Sequence, residues 1–84
     1  MVKVVFTADA KRELAGIPTV IRLRCYDVLK RLGNWPNVSG AKPLRKEFKG
    51  HFRIRTGDYR IVFKPEGSTV WIIRIDNRKD VYER

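Results

Sequence analysis

Three kinds of hydrophobic and polar patterning run along the chain, and each predicts a different element. Lys3 to Phe6 is a short β-branched and aromatic run, which predicts a first strand. Thr7 is a suitable N-cap, and the helix-forming run Ala8 to Ala15 follows it, with Asp9 near the positive end of the helix dipole. Gly16 ends that helix, and Pro18 suits the first turn of a second one. Ile17, Ile21, Cys25, Val28 and Leu32 recur at spacings of three and four, which marks one apolar helix face. Gly33-Asn34 closes the helix, and Asn34 to Gly40 is a loop of structure-breaking residues in which Trp35 is expected to cover the end of the core.

The second pattern is a strict alternation from Phe52 to Phe63, with arginines on one side and apolar residues on the other. Gly57-Asp58 supplies a two-residue turn, the connection that fixes hairpin register most tightly. Closing the hairpin there sets Phe52 opposite Phe63, Ile54 opposite Ile61, and Arg55 opposite Arg60. The two arginines are then side by side, an arrangement that destabilises a bare ladder and that an anion such as phosphate would relieve. Leu44 to Lys49 leads into this hairpin, and Pro65 to Ser68 is a second turn signal. Thr69 to Ile75 has apolar side chains on both faces, as a central strand does. The tail from Asp76 to Arg84 is short, polar and basic.

The predicted fold is therefore a two-layer α+β domain, strand–helix–helix–strand–strand–strand, with the helical pair on one face of an antiparallel sheet. At 84 residues the chain is one domain, spanning 1–84, and its 43% apolar content is enough for a core without staples. Cys25 is the lone cysteine, so no internal disulfide forms, which fits a reducing cytoplasm. On the apolar helix stripe it reads as a core residue. The N-terminal residues carry no signal-peptide pattern, and no run approaches the roughly 18 apolar residues of a membrane span.

Charge narrows the partners. Nineteen Lys and Arg against nine Asp and Glu give a formal net charge of +10, the footprint of a nucleic-acid or acidic protein partner. The basic residues are dense from Lys42 to Lys64 and many alternate with core positions, so they converge on one surface. If the helices cover Phe52, Ile54, Ile61 and Phe63, the open face shows His51, Arg53, Arg55 and Arg60. Val62 and Lys64 continue that face, and Trp71 and Ile73 line its floor. Guanidinium groups on rigid strands grip phosphate bidentately and stabilise charge that builds up in a transition state.

The block Leu44 to Phe63 resembles the RelE/ParE toxin superfamily, and the ending Ile75-Asp76-Asn77-Arg78-Lys79-Asp80-Val81-Tyr82 is similar to that family's closing Gly-His-Arg-Lys-Asp-Val-Tyr pattern. The resemblance implies the toxin of a type II toxin–antitoxin pair. RelE-type members cleave mRNA in the ribosomal A site without metal or other cofactor. The ribose 2′-hydroxyl attacks the adjacent phosphate and leaves a cyclic phosphate and a 5′-hydroxyl. Carried over by position, the resemblance implies catalytic roles for Arg53, Arg55, Arg60, Arg78 and Tyr82. Lys46, Lys49, Lys64 and Lys79 are the expected RNA-binding lysines. Implied partners are a cognate antitoxin, mRNA and the ribosome with its rRNA, with no membrane.

Two departures from the family bear on chemistry. Several relatives carry a lysine on the second strand that acts in proton transfer, whereas Arg53 and Arg55 hold charge but make poor bases. Other relatives carry histidine where this chain has Asn77. The acid–base candidates are then His51, Tyr82, Asp80 and Glu83, of which His51 shares a face with the arginines by period-two alternation. A ParE-like DNA gyrase poison, acting by binding alone, is the alternative on the same fold. A catalytically weakened RNA-binding homologue is the other.

Overall fold

A computed structural model of the chain describes residues 2–77. In chain order the elements are β1 (Lys3–Phe6), α1 (Ala8–Ala15), α2 (Thr19–Leu32), β2 (Lys42–Pro43), a 3-10 turn (Lys46–Phe48), β3 (Phe52–Thr56), β4 (Tyr59–Glu66) and β5 (Thr69–Asn77). The strands form one five-stranded sheet in the order β1-β5-β4-β3-β2. The two-layer α+β arrangement is as expected. The sheet is mixed rather than antiparallel, because β1 pairs parallel with β5 while the other neighbours run antiparallel. Strand β5 is apolar on both faces and would be a poor outer edge, so the N-terminal strand covers it. The short strand β2 adds a second unpredicted element, pairing Lys42 with Arg53 and Pro43 with Phe52.

Both hairpins turn through glycine in the left-handed region, Gly57 at φ 59° and Gly67 at φ 58°, where a Cβ would be strained. The first turn gives the register set by the alternation, with Phe52 opposite Phe63, Ile54 opposite Ile61 and Arg55 opposite Arg60. Strand β4 runs on through Pro65 and Glu66, which the sequence reads as turn. Pro65 is tolerated because β3 ends at Phe52, opposite Phe63, so its missing N–H faces no ladder partner.

The core lies between the helices and the sheet. From α2 it takes Cys25, Val28, Leu29 and Leu32, and from α1 it takes Ala10. The sheet contributes Ile54, Ile61, Phe63, Val70, Ile72 and Ile75, with Ile17 from the interhelix turn. Burying each of the large side chains is worth about 1.5–3 kcal/mol. Leu29 widens the apolar stripe predicted for α2, and Cys25 is fully buried on it. Burial pushes the Cys25 thiol pKa up, which keeps it neutral. Trp35 closes the end of this core, packing edge-on to Phe52 at 4.8 Å and Phe63 at 5.1 Å.

Thr7 ties the two layers together. Its hydroxyl accepts from the Ala10 N–H at 3.2 Å as the N-cap of α1, and donates to the Ile73 carbonyl at 3.0 Å. One irregularity decides what the other sheet face presents. Val62 pairs with Arg74 but Phe63 pairs with Ile72, so Ile73 is an extra residue in β5, a β-bulge. Val70, Ile72 and Ile75 stay in the core, while the bulge delivers both Ile73 and Arg74 to the face away from the helices. Among the described residues no helix is long and apolar enough to cross a membrane.

Candidate functional site

The open sheet face carries a cavity of about 280 Å³ lined by Leu44, Phe48, His51, Arg60, Val62, Ile73, Arg74 and Asp76. Its floor is apolar: Val62 and Ile73 come from the two middle strands. Residues 44–51 form its wall. The Leu44 N–H donates to the His51 carbonyl and the His51 N–H to the Phe48 carbonyl, both at 2.9 Å, which folds the segment back on itself. Phe48 then meets the His51 ring edge-on at 6.1 Å. Val62 is only 7% exposed although it points away from the helices, because this segment shelters it. The cavity is thus a partly dry recess in which charged groups interact more strongly than on open surface.

The charged groups in it are held by one another. Arg60 pairs across the ladder with Asp76, and its guanidinium lies 3.7 Å from the Asp76 carboxylate. Arg74 donates to Asp76 Oδ1 at 3.1 Å and, through Nε, to Glu13 Oε2 of α1 at 2.8 Å. The other Glu13 oxygen accepts the Ile75 backbone N–H at 2.8 Å. That amide lies beyond the end of β1, which pairs only as far as Ile72, so Glu13 takes the place of a missing strand. The Arg74 pKa is driven further up, first by the hydrogen bond it donates to Glu13 and then by the Asp76, Glu13 and Asp9 charges, against the lowering effect of burial. Among the described residues, two buried side-chain nitrogens have no hydrogen-bond partner, Arg60 Nε and His51 Nδ1. Buried polar atoms are seldom left so, and a ligand is one of the things that satisfies them.

A second recess, about 420 Å³, opens at the sheet edge and is lined by Arg31, Ser39, Gly40, Lys42, Arg53, Ile54 and Arg55. Strand β2 covers only Phe52 and Arg53, so β3 is an edge from Ile54 onward. Arg31 comes from the last turn of α2 and Lys42 from β2. Four cations from three elements therefore converge on one groove beside the cavity.

The sequence-derived site residues divide between these two places. His51 and Arg60 share the cavity, and Arg53 and Arg55 line the edge groove, although Arg55 stands directly across the ladder from Arg60. The like-charge pairing is offset from the other side of β4, where Asp76 faces Arg60. Lys46 and Lys49 are exposed on the segment that walls the cavity, and Lys46 enters its 3-10 turn with φ 59°. Lys64 lies across from Trp71 and is 3.7 Å from Glu66. Ile73 lines the cavity floor as expected; Trp71 does not. Arg78, Lys79 and Tyr82, with the alternative acid–base candidates Asp80 and Glu83, lie outside the described residues. Sequence reasoning passed over Glu13, Arg31, Arg74 and Asp76. Arg74 and Asp76 follow the same alternation as Arg60, but the bulge at Ile73 hides the phase.

Comparison with known proteins places this arrangement. The family described as the ParE toxin of the type II toxin–antitoxin system, parDE, matches residues 4–82. The chain is 38% identical over 82 residues to toxin RelG of Mycobacterium tuberculosis, covering 94% of this chain and 93% of that protein. It is 31% identical over 84 residues to toxin RelE3 of Methanocaldococcus jannaschii, covering 96% of each. Among solved structures, a chain of the toxin–antitoxin complex RelBE2 from M. tuberculosis superposes with a TM-score of 0.80 at 34% identity, over 92% of this chain and 98% of that one. The isolated Escherichia coli RelE toxin gives a TM-score of 0.78 at 18% identity, over 99% of this chain and 93% of that one, a likeness of fold. The chain belongs to the RelE/ParE family and is the toxin of a type II toxin–antitoxin system.

Proposed function

We propose that this toxin is a metal-independent endoribonuclease that cuts mRNA in the ribosomal A site and so halts translation in the cytoplasm. The ribose 2′-hydroxyl attacks the adjacent phosphate, leaving a cyclic phosphate and a 5′-hydroxyl. The observation that carries this reading is Arg60: a guanidinium on a rigid strand, aimed into a sheltered cavity, with its buried Nε unpartnered. A phosphoryl oxygen would satisfy that donor, and the same contact strengthens as negative charge accumulates in the transition state. Arg53 and Arg55 hold the RNA backbone along the neighbouring edge, with Lys46, Lys49 and Lys64 adding to the field that draws mRNA and rRNA in. Arg78, Tyr82 and Lys79 join this set by the family pattern.

A cognate antitoxin is the protein partner. Relatives have been solved as RelB–RelE complexes, and a chain with formal net charge +10 suits an acidic, amphipathic partner segment. The test is induced expression without antitoxin, followed by mapping of mRNA 5′ ends. Translation-dependent cuts that vanish in Arg60→Ala support the reading. The matching family's description favours one other reading, a ParE-like gyrase poison that acts by binding. Intact mRNA with accumulating gyrase–DNA breaks would decide for it.

A further inference from the structure

We propose that Asp76 is the proton acceptor for the attacking 2′-hydroxyl, in the same cavity as Arg60; the inference rests on the endoribonuclease reading. The described lining holds four ionisable groups: His51, Arg60, Arg74 and Asp76. Arginine stays protonated at every working pH, so only His51 and Asp76 can exchange a proton there. Asp76 is placed to do so. Its Oδ1 accepts from Arg74 at 3.1 Å, whereas Oδ2 is 3.7 Å from Arg60, beyond hydrogen-bond distance. Oδ2 therefore keeps a lone pair for a hydroxyl while Arg60, beside it, takes the phosphate.

The surroundings make a carboxylate compatible with an anionic substrate. Arg60 on β4 and Arg74 on β5 flank Asp76, and His51 faces it from the residues before β3. From α1, Glu13 holds Arg74 and Asp9 acts on it through charge. Two guanidinium groups to one carboxylate leave the described β-strand lining net positive, so phosphate is still attracted. The relay from Glu13 through Arg74 fixes the carboxylate on a helix and a strand, which gives it the geometric precision that general-base catalysis requires.

The step balances within the cavity. The 2′-oxygen forms a bond to phosphorus as its proton passes to Asp76 Oδ2. The bond from phosphorus to the 5′-oxygen breaks, and that oxygen takes a proton from the His51 imidazolium. The products are the cyclic phosphate and the 5′-hydroxyl, with Asp76 protonated and His51 neutral.

The experiment is single-turnover cleavage of a synthetic mRNA programmed in the A site, measured across pH for wild type, Asp76→Asn and Asp76→Glu. Circular dichroism and KM accompany each variant. Asp76→Asn should lose about 100-fold or more in rate and change the shape of the pH profile, and Asp76→Glu should recover part of both. A slowed Asp76→Asn with the wild-type pH profile overturns the proposal, and makes Asp76 a positioning residue for Arg60. Asp76→Asn at wild-type rate overturns it while leaving the endoribonuclease reading intact. A wild type that makes no cut overturns both. A substrate with sulfur as the 5′-leaving atom needs no acid, so it should restore His51→Gln but not Asp76→Asn; restoration of Asp76→Asn counts against the assignment.

Discussion

The cavity and the edge groove hold arginines that stand directly across one ladder from each other, yet they are built on opposite principles. In the cavity, cations and anions fix one another over an apolar floor: Glu13 holds Arg74, Arg74 holds Asp76, and Asp76 faces Arg60. In the groove the described lining carries charge of one sign, from Arg31, Lys42, Arg53 and Arg55, on a sheet edge open to solvent. Fixed groups in a sheltered recess act on charge that develops at one point, as catalysis requires. A solvated run of cations acts on a polyanion at long range, and salt weakens it. On the proposed endoribonuclease reading, Arg55 and Arg60 are neighbours in the hairpin with different work to do.

The sharpest test of that contrast is the pair Arg60→Ala and Arg53→Ala. Removing Arg60 should lower the single-turnover cleavage rate by about 10²–10³, the usual loss of a preorganised transition-state donor, with little change in KM. Arg53→Ala should act mainly on KM. Equal losses in the same parameter would merge the two regions into one site.

Next comes the brace behind the cavity. Glu13→Ala leaves the Ile75 amide without its acceptor and Arg74 with Asp76 alone, so urea unfolding should show a loss of about 1–3 kcal/mol. Cleavage should fall with it even though Glu13 is on a helix outside the cavity lining. An unchanged rate in a correctly folded variant would show that Arg74 and Asp76 keep their places without help from α1.

In the groove the expected signature is salt dependence. Arg31→Ala and Lys42→Ala should each lower the slope of log affinity against log salt by about 0.7–1, with the rate at saturating substrate unchanged. A salt slope identical to wild type would remove the groove from the RNA path. The smallest effect concerns Cys25, which belongs to neither region. Burial raises its folded pKa above the ordinary value of 9.0, so the stability contributed by the neutral thiol is present below that value and lost as pH rises through the folded one. At pH near neutrality a thiol reagent should modify it only as fast as the chain opens.

The local elements were legible because their patterns are local. Period-two alternation and a Gly-Asp turn are sufficient to set Arg55 against Arg60, and a 3.6-residue stripe is sufficient to bury Cys25, Val28 and Leu32. In the sequence Asp76 reads as the start of a polar tail, because β5 carries a bulge. One extra residue at Ile73 reverses the face of everything after it, and no periodicity announces an insertion. Arg31 was invisible for a different reason. It is an ordinary cation in the last turn of α2, and it gains meaning only where that turn stands beside the edge of β3.

The sequence by itself therefore determined the helices, the hairpin, its register and the side on which the arginines lie, since each depends on residues a few positions apart. Tertiary structure decided which charges meet. β1 lies against β5, Glu13 reaches an amide 62 residues away, and Asp76 comes to face Arg60 from the neighbouring strand. Such contacts follow from how the layers and strands close around a shared core. The alternation that drives that closure fixes the face on which a charged side chain stands; the partner it meets there is chosen by the packing.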